Sequence, residues 1–350
     1  MAVRMTTPVT VVTGFLGSGK TTLINRILRE AHGQRIAVIE NEYGAVGVDA
    51  EFLVGSGAEK IIQLANGCVC CTVRGDLARA LQELVAASAE GGFEFDRVLI
   101  ETTGLADPGP VIQTFIAETR VQEHFHLDGV VALVDAQHRH EHLQRIEHLA
   151  QIGYADRLVV TKPDRVDPAH VAALAQLLGE RNARAPIVAC NLHAAPIDEL
   201  LGHLFDARGH ALDHVPREEI ERIVRGARLS GNGDGRLRPV HARHTDDVTS
   251  YVYRGEAPID LESLNCFLDA AIARFGDSLW RCKGIVHAAH RRQRLVLQGV
   301  QASISIGGGP LWRPYEPRHT ILVFIGRGLD GNWILSELAR CELRDVGMPA

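Results

Sequence analysis

From Pro8 to about Leu204 the chain alternates short apolar runs with amphipathic stretches. Val9–Val12, Ile36–Ile39, Val98–Ile100, Val130–Val134 and Leu158–Val160, apolar but for Thr10, read as strands buried on both faces of a parallel sheet. The spacing predicts helices over Thr21–Glu30 and Asp76–Ala89, with Leu77, Leu81, Leu84 and Val85 on one face of the second. Asp167-Pro168 predicts a further helix start, a capping side chain followed by proline in the first turn. Strand and helix in alternation imply a doubly wound α/β domain.

Around Arg225–Arg238 the pattern breaks into RGARLSGNGDGRLR, glycine-rich, polar and basic, the texture of a linker. Beyond it, strand patterns at Thr249–Tyr253, Gly284–Val286, Arg294–Val300 and Thr320–Ile325 accompany helical patterns at Leu261–Phe275 and Trp333–Leu343, giving a small α+β domain. The expected layout is a nucleotide domain over 1–215, a linker over 216–238 and a C-terminal domain over 239–350. There is no internal repeat.

Composition narrows the function classes. With 46% apolar and 23% charged residues in 350, a sizeable core is expected, and the net charge of −6 carries no long basic run. Nucleic acid is therefore not an expected partner, since neutralising phosphates needs a basic face. No apolar stretch reaches bilayer-spanning length and the first ten residues lack signal-peptide features, so no membrane is expected and the cytoplasm is the expected location. In that reducing compartment the seven cysteines stay thiols, and three of them crowd into four positions.

The clearest motif runs from Gly14 to Thr21, GFLGSGKT, which satisfies G-x-x-x-x-G-K-[ST] between an expected strand and an expected helix. Its glycines (Gly14, Gly17, Gly19) and Ser18 let backbone N–H groups face phosphate at the positive end of the helix. Lys20 is expected to neutralise the β- and γ-phosphates, and Thr21 to hold Mg²⁺. Downstream, RVLIETTGLADP ends an apolar strand in Glu101, which can reach the Mg²⁺ shell or order the attacking water, and Gly104 can bring its N–H to the γ-phosphate. In LVVTKPD, Asp164 can accept two hydrogen bonds from guanine N1 and N2 while Lys162 lies along the base and the loop. Adenine offers no such donor pair, at a cost of about 1–3 kcal/mol for the unpaired carboxylate, so GTP is expected over ATP.

A second motif, Gly67-Cys68-Val69-Cys70-Cys71-Thr72, lies between an apolar strand and a helix. Three thiolates at this spacing can converge on one soft ion, leaving a fourth zinc position for water, an acid or a recipient protein. Core filling and a redox relay are the competing accounts; polar Asn66, Thr72 and Arg74 oppose the first, and the strain of a disulfide between neighbours opposes the second. Glu40 and Glu42, in ENEYG after another strand, are candidate ligands for Mg²⁺ or the transferred metal. His124, His126, His138, His140, His142 and His148 gather around Gly129–Asp135, and His138 and His142 would share a helix face, though exposed histidines without supporting groups are common.

GFLGSGKTT, ENEYG, GCVCC, ETTGLADPGP and TKPD, in that order, resemble the CobW family of GTPases, which sits with the HypB and UreG metal-handling GTPases, and the likeness is greatest to the YjiA-like members. NARAPI, LWRCKGIV, RLVLQGVQ and HTILVFIG extend the resemblance over nearly the whole chain. It implies an α/β P-loop domain of the SIMIBI type, mainly parallel with helices on both faces, followed by a small α+β CobW C-terminal domain. It implies slow GTP hydrolysis and a metallochaperone role, zinc being the usual metal and cobalt or iron enzymes the clients of some relatives. On this resemblance Gly17–Thr22 map to the phosphate loop, Thr22 included, Glu101 to the second acid, Lys162 and Asp164 to guanine recognition, and Cys68, Cys70 and Cys71 to the metal motif. Ala45 stands where relatives often carry an acid, and Glu118 where some carry histidine. The rival functions are a metal sensor or store and a GTPase chaperone for assembly of a cobalt or iron enzyme. The client and the oligomeric state, a homodimer included, stay open.

Overall fold

A computed structural model describes residues 6–30, 32–40, 53–54, 60–63, 72–90, 94–138, 145–205, 248–312, 314 and 316–343. The chain divides into two compact units, Met1–Gly179 with Ala185–His210 and Glu180–Arg184 with Ala211–Ala350. Among the described residues, no helix is long and apolar enough to cross a membrane.

The first unit holds strands β1 (Thr7–Gly14), β2 (Ile36–Glu40), β3 (Leu53–Val54), β4 (Lys60–Gln63), β5 (Arg97–Glu101), β6 (Phe125–Asp135), β7 (Arg157–Thr161) and β8 (Ile187–Cys190). They form one sheet in the order β3-β4-β2-β5-β1-β6-β7-β8. All neighbours are parallel except the β3–β4 pair at one edge. Helices α1 (Lys20–Arg29), α2 (Thr72–Ala89), α3 (Gly109–Ala117), α4 (Thr119–Gln122), α5 (Ile146–Tyr154), α6 (Pro168–Arg181) and α7 (Ile197–Phe205) make the crossovers.

Burial on both faces follows from the strand period of two. On β6, Val131 and Leu133 face Leu23, Ile24 and Ile27 of α1 and Leu200, Leu201 and Leu204 of α7. The intervening Ala132 and Val134 face Ile152 of α5 and Leu174 and Leu178 of α6. The five apolar runs of the sequence are thus all central strands. Helix α2 begins four residues before the expected Asp76, and its Leu77, Leu81 and Leu84 are buried while Val85 is half-buried. Helix α6 starts where the Asp-Pro signal put it: Asp167 Oδ1 accepts from Ala169 N at 2.7 Å.

The second unit is an antiparallel sheet of β9 (Val248–Gly255), β10 (Leu279–Val286), β11 (Gln293–Val300), β12 (Ser303–Leu311) and β13 (Thr320–Arg327), in the order β12-β11-β10-β13-β9. Helices α8 (Leu261–Phe275) and α9 (Gly331–Arg340) cover it, with Leu264, Phe267, Leu268, Ile334 and Leu338 packed against Tyr251, Leu297, Leu322 and Phe324. Strand β12, SISIGGGPL, alternates polar and apolar only over Ser303–Ile306 before running into three glycines and a proline, and is a partly exposed edge. Helix α9 starts earlier than Trp333 because the Asp330 side chain accepts from Trp333 N at 3.0 Å, and it ends before Leu343, whose N–H bonds Pro258 O at 2.8 Å instead of continuing the helix.

Phe324 is inaccessible to solvent and meets the Phe267 ring edge-on at 5.8 Å. Phe324→Ala is expected to cost about 3–5 kcal/mol in this unit, read as a lower urea midpoint, because the cavity is walled by a sheet and two helices that cannot collapse into it. A shift equivalent to less than about 1 kcal/mol would contradict that packing.

Candidate functional site

Strands β1, β5, β6 and β7 end together at one edge of the sheet, and the candidate residues of the nucleotide site lie at or just past those ends. Beyond Gly14, the chain turns through residues 15–19 into α1. Gly14 has φ 136°, and a Cβ there would collide with the Leu133 carbonyl of the neighbouring strand, so only glycine lets the loop leave the sheet this close to β6. Gly17 and Gly19 are also left-handed, at φ 79° and 99°. The α1 N-terminus has no side-chain cap, which leaves its N–H groups turned toward the loop.

The Lys20 side chain folds back over that loop. Its ammonium donates to Gly14 O at 2.6 Å and to Phe15 O at 3.1 Å. Burial pulls its pKa below the usual lysine range, and Glu101 acts in the opposite sense. A buried cation with two carbonyls and one nearby acid is short of negative charge, and a phosphate supplies it. Ser18 points the same way: its Oγ is buried without a hydrogen-bond partner among the described residues. Both observations fit a phosphate group in the loop.

Thr21 Oγ1 donates to Glu101 Oε1 at 3.4 Å, which brings the two expected Mg²⁺ residues together. Thr22 follows on the first turn of α1 and is half-buried. The β5 end is fixed to β1 by Thr102 Oγ1 donating to Thr13 Oγ1 at 2.8 Å, between two fully buried residues. Gly104 lies so close to Leu16 that an added Cβ would stand 2.7 Å from its backbone N. Gln151 on α5 holds this turn, its Nε2 donating to Gly104 O at 3.2 Å and Ala106 O at 3.1 Å.

After β7, Lys162 takes a left-handed conformation (φ 55°) that turns its side chain back across the loop. Its ammonium donates to Gly17 O at 2.6 Å and to Asp135 Oδ2 at 2.5 Å. Thr161 Oγ1 reaches Ser18 O at 2.8 Å. Asp164, two residues on, is exposed in the short 3-10 turn Pro163–Arg165, open to a base. Asp135 and Thr161 carry no motif signal of their own; the β6–β7 register, which pairs them, is what makes them loop supports.

Cys68, Cys70, Cys71 and Glu42 lie outside the described residues, as do His140 and His142. Glu40 closes β2, and its backbone is in register with Glu101 on one side and Gln63 on the other. The helical pair expected of His138 and His142 lies partly outside the described residues, and two other contacts of the histidine cluster are described. His148 is buried on α5 and stands edge-on to Phe15 of the phosphate loop at 3.7 Å, while His138 lies 5.6 Å from the same ring. These two histidines line a small cleft with Gly14, Leu133 and Gln151, so they buttress the loop. His124 is half-buried, and His126, exposed beside Thr6, has its pKa lowered by burial.

A parallel sheet, a phosphate loop around a buried lysine and a following acid define a P-loop nucleotide-binding protein. Residues 8–189 match the CobW/HypB/UreG nucleotide-binding domain and residues 248–342 the cobalamin synthesis protein CobW C-terminal domain. The chain belongs to the CobW family. It is 39% identical over 323 residues to the zinc chaperone YjiA of Escherichia coli, covering 91% of this chain and 93% of that one. It is 31% identical over 367 residues to the zinc chaperone CobW of Pseudomonas aeruginosa, covering 95% and 90%. The crystal structure of Zn(II)-bound YjiA GTPase from E. coli superposes with a TM-score of 0.75 at 33% identity, covering 97% of this chain and all of that one.

Lys20→Ala is expected to weaken nucleotide binding at least about a hundredfold in calorimetry, because it removes the charge that faces the phosphates. The apo protein should not lose stability, since the same change relieves a buried cation. A variant that binds nucleotide as the parent does would remove Lys20 from the site. Asp164→Asn should cost GTP about tenfold or more and leave ATP unchanged, measured by competition; equal loss for both nucleotides would end the base-recognition role.

Proposed function

We propose that this protein is a GTP-hydrolysing metallochaperone that holds zinc at Cys68, Cys70 and Cys71 and passes it to a client protein. The observation that carries the reading is the likeness over nine-tenths of the chain to relatives named zinc chaperones, in a protein whose loop is built to take phosphate.

On this reading the loop amides, Ser18 and Lys20 hold the β- and γ-phosphates, and Asp164 selects guanine. Thr21 and Glu101 would hold Mg²⁺, which when bound neutralises charge developing on the phosphates. Glu101 and Gly104 orient the attacking water and the γ-phosphate, and water and GTP leave as GDP and phosphate. Gly14, Lys162 and Thr161 keep the loop in its receiving shape, so little reorganisation is needed when the nucleotide arrives.

Coupling to the metal has a topological basis. Glu101, Glu40 and Gln63 close three adjacent parallel strands in register. The chain leaves Glu40 toward Glu42, and it leaves Gln63 toward Cys68 five residues later, within about 18 Å of reach. Helix α2 begins at Thr72, immediately after Cys71, where its amide dipoles favour thiolates. On this reading loss of the γ-phosphate at Glu101 acts one strand away from the Glu40–Glu42 segment and two strands away from the segment that leads to the cysteines. Three thiolates leave one position for a client ligand, which suits handing over better than storage. The protein works in a reducing compartment, the cytoplasm, where thiolates persist. Cobalt shares the ligand preference and is the alternative cargo.

Linkage makes the test quantitative: whatever factor GTP applies to zinc affinity, zinc must apply to GTP affinity. We expect paired calorimetric titrations to give equal factors of about 5–150, and the Cys70→Ser/Cys71→Ser variant to erase both. GTP titrations that coincide with and without zinc would refute the coupling. Zinc transfer to a recipient should require GTP and fail with a non-hydrolysable analogue; equal transfer with both would leave a metal-binding store with incidental GTPase activity.

A further inference from the structure

At the β8 edge of the first unit, away from the cysteine motif in sequence, three metal-binding side chains converge. Cys190 is the last residue of β8, and Glu199 and His203 are one turn apart on α7. One ligand atom from each, Sγ, a carboxylate oxygen and an imidazole nitrogen, can be chosen so that all lie within 4.8 Å of one another. His203 Nε2 is 3.4 Å from Glu199 Oε1. In a tetrahedral zinc site, bonds of 2.0–2.3 Å set ligand atoms about 3.3–3.8 Å apart, so small side-chain rotations close the remaining distance. We propose that Cys190, Glu199 and His203 form a second metal site for a thiophilic divalent cation of the zinc class, with a water or an incoming thiol in the fourth position.

The surroundings suit such an ion. Cys190 and His203 are held on rigid elements whose cores include Leu200, Leu201 and Leu204, while Glu199 is half-exposed and gives the ion a way in. His203 Nε2 is buried, with no well-aligned hydrogen bond. Burial, followed by the charge of Arg157, holds its imidazole below the usual range, so it is neutral and able to ligate. Burial and Glu199 push the Cys190 thiol up, which opposes ionisation in the empty site, so the ion must displace the thiol proton to solvent as the Sγ–metal bond forms. The thiolate and the Glu199 carboxylate then cancel the ion's two charges. Two arginines border the site, and each is already engaged. Arg26 pairs with Glu30, at 2.8 Å for Nη2–Oε2, and donates to Leu192 O and Ala195 O at 2.7 Å. Arg157 donates to Gly202 O at 2.7 Å and His203 O at 3.0 Å.

The competing account treats Cys190 as a small core residue and Glu199–His203 as an ordinary one-turn pair on a helix. Cobalt(II) separates the two, because a thiolate ligand gives it a charge-transfer band in the near ultraviolet that oxygen and imidazole do not. The test uses the full chain carrying Cys68→Ser, Cys70→Ser and Cys71→Ser, stripped of metal and titrated with Co²⁺ alone, without nucleotide. The expected result is a band saturating near one equivalent, bleached when Zn²⁺ is added. Adding Cys190→Ser should abolish it, and adding His203→Gln, which leaves the core thiol in place, should weaken binding at least tenfold. Circular dichroism of each variant confirms the fold. Absence of the band, its survival in Cys190→Ser, or indifference to His203→Gln overturns the site. With the cysteine motif removed and no GTP present, failure here leaves the zinc-delivery reading untouched.

Discussion

The Lys20 ammonium is buried where only other groups' oxygens can hold it, and much of the first unit is arranged around that need. Two loop carbonyls and the approach of Glu101 supply part of the compensation, and burial still draws the Lys20 pKa below the usual lysine range. To bring those carbonyls inward the chain must turn out of β1 against the neighbouring strand, which Gly14 alone permits. A cation so placed costs free energy in the empty protein and recovers it when phosphate arrives. Stability given up at the loop is regained as affinity.

The supports of the loop come from three elements, β6, β7 with the residue after it, and α5. Lys162 and Thr161 bond its carbonyls from β7, Asp135 fixes Lys162 from β6, Gln151 holds the Gly104 turn from α5, and His148 packs its ring on Phe15. Because these supports are side chains on regular elements, or in the case of Lys162 directly at the end of one, the receiving geometry is held before the ligand comes. The proposed chemistry rests on the motif residues, and the shape of the loop on these others.

The metal handling proposed for this protein depends on where strands end. Glu101, Glu40 and Gln63 close neighbouring strands, at the end of the sheet where β1 passes into the phosphate loop. At the far edge, β8 ends in Cys190 beside α7. The two proposed metal sites thus belong to opposite sides of the β1 loop in strand order, and the GTP-linked exchange proposed above needs only the first of them.

Local order in this protein is legible in its sequence, because period and capping act within a few residues. The apolar runs became central strands, Asp167-Pro168 opened α6, and the glycines and lysine of GFLGSGKT needed only their immediate neighbours to be recognised. Edges were harder: β12 is half-polar and glycine-rich, and β8 is short, so neither carries a burial pattern strong enough to stand out. Strand order is not written locally at all. That β2 lies beside β5, that Asp135 meets Lys162, that His148 covers Phe15 and that Cys190 stands by His203 are results of chain closure over 13 to 133 residues. Such contacts are selected by the packing of whole faces, and only the folded sheet decides them.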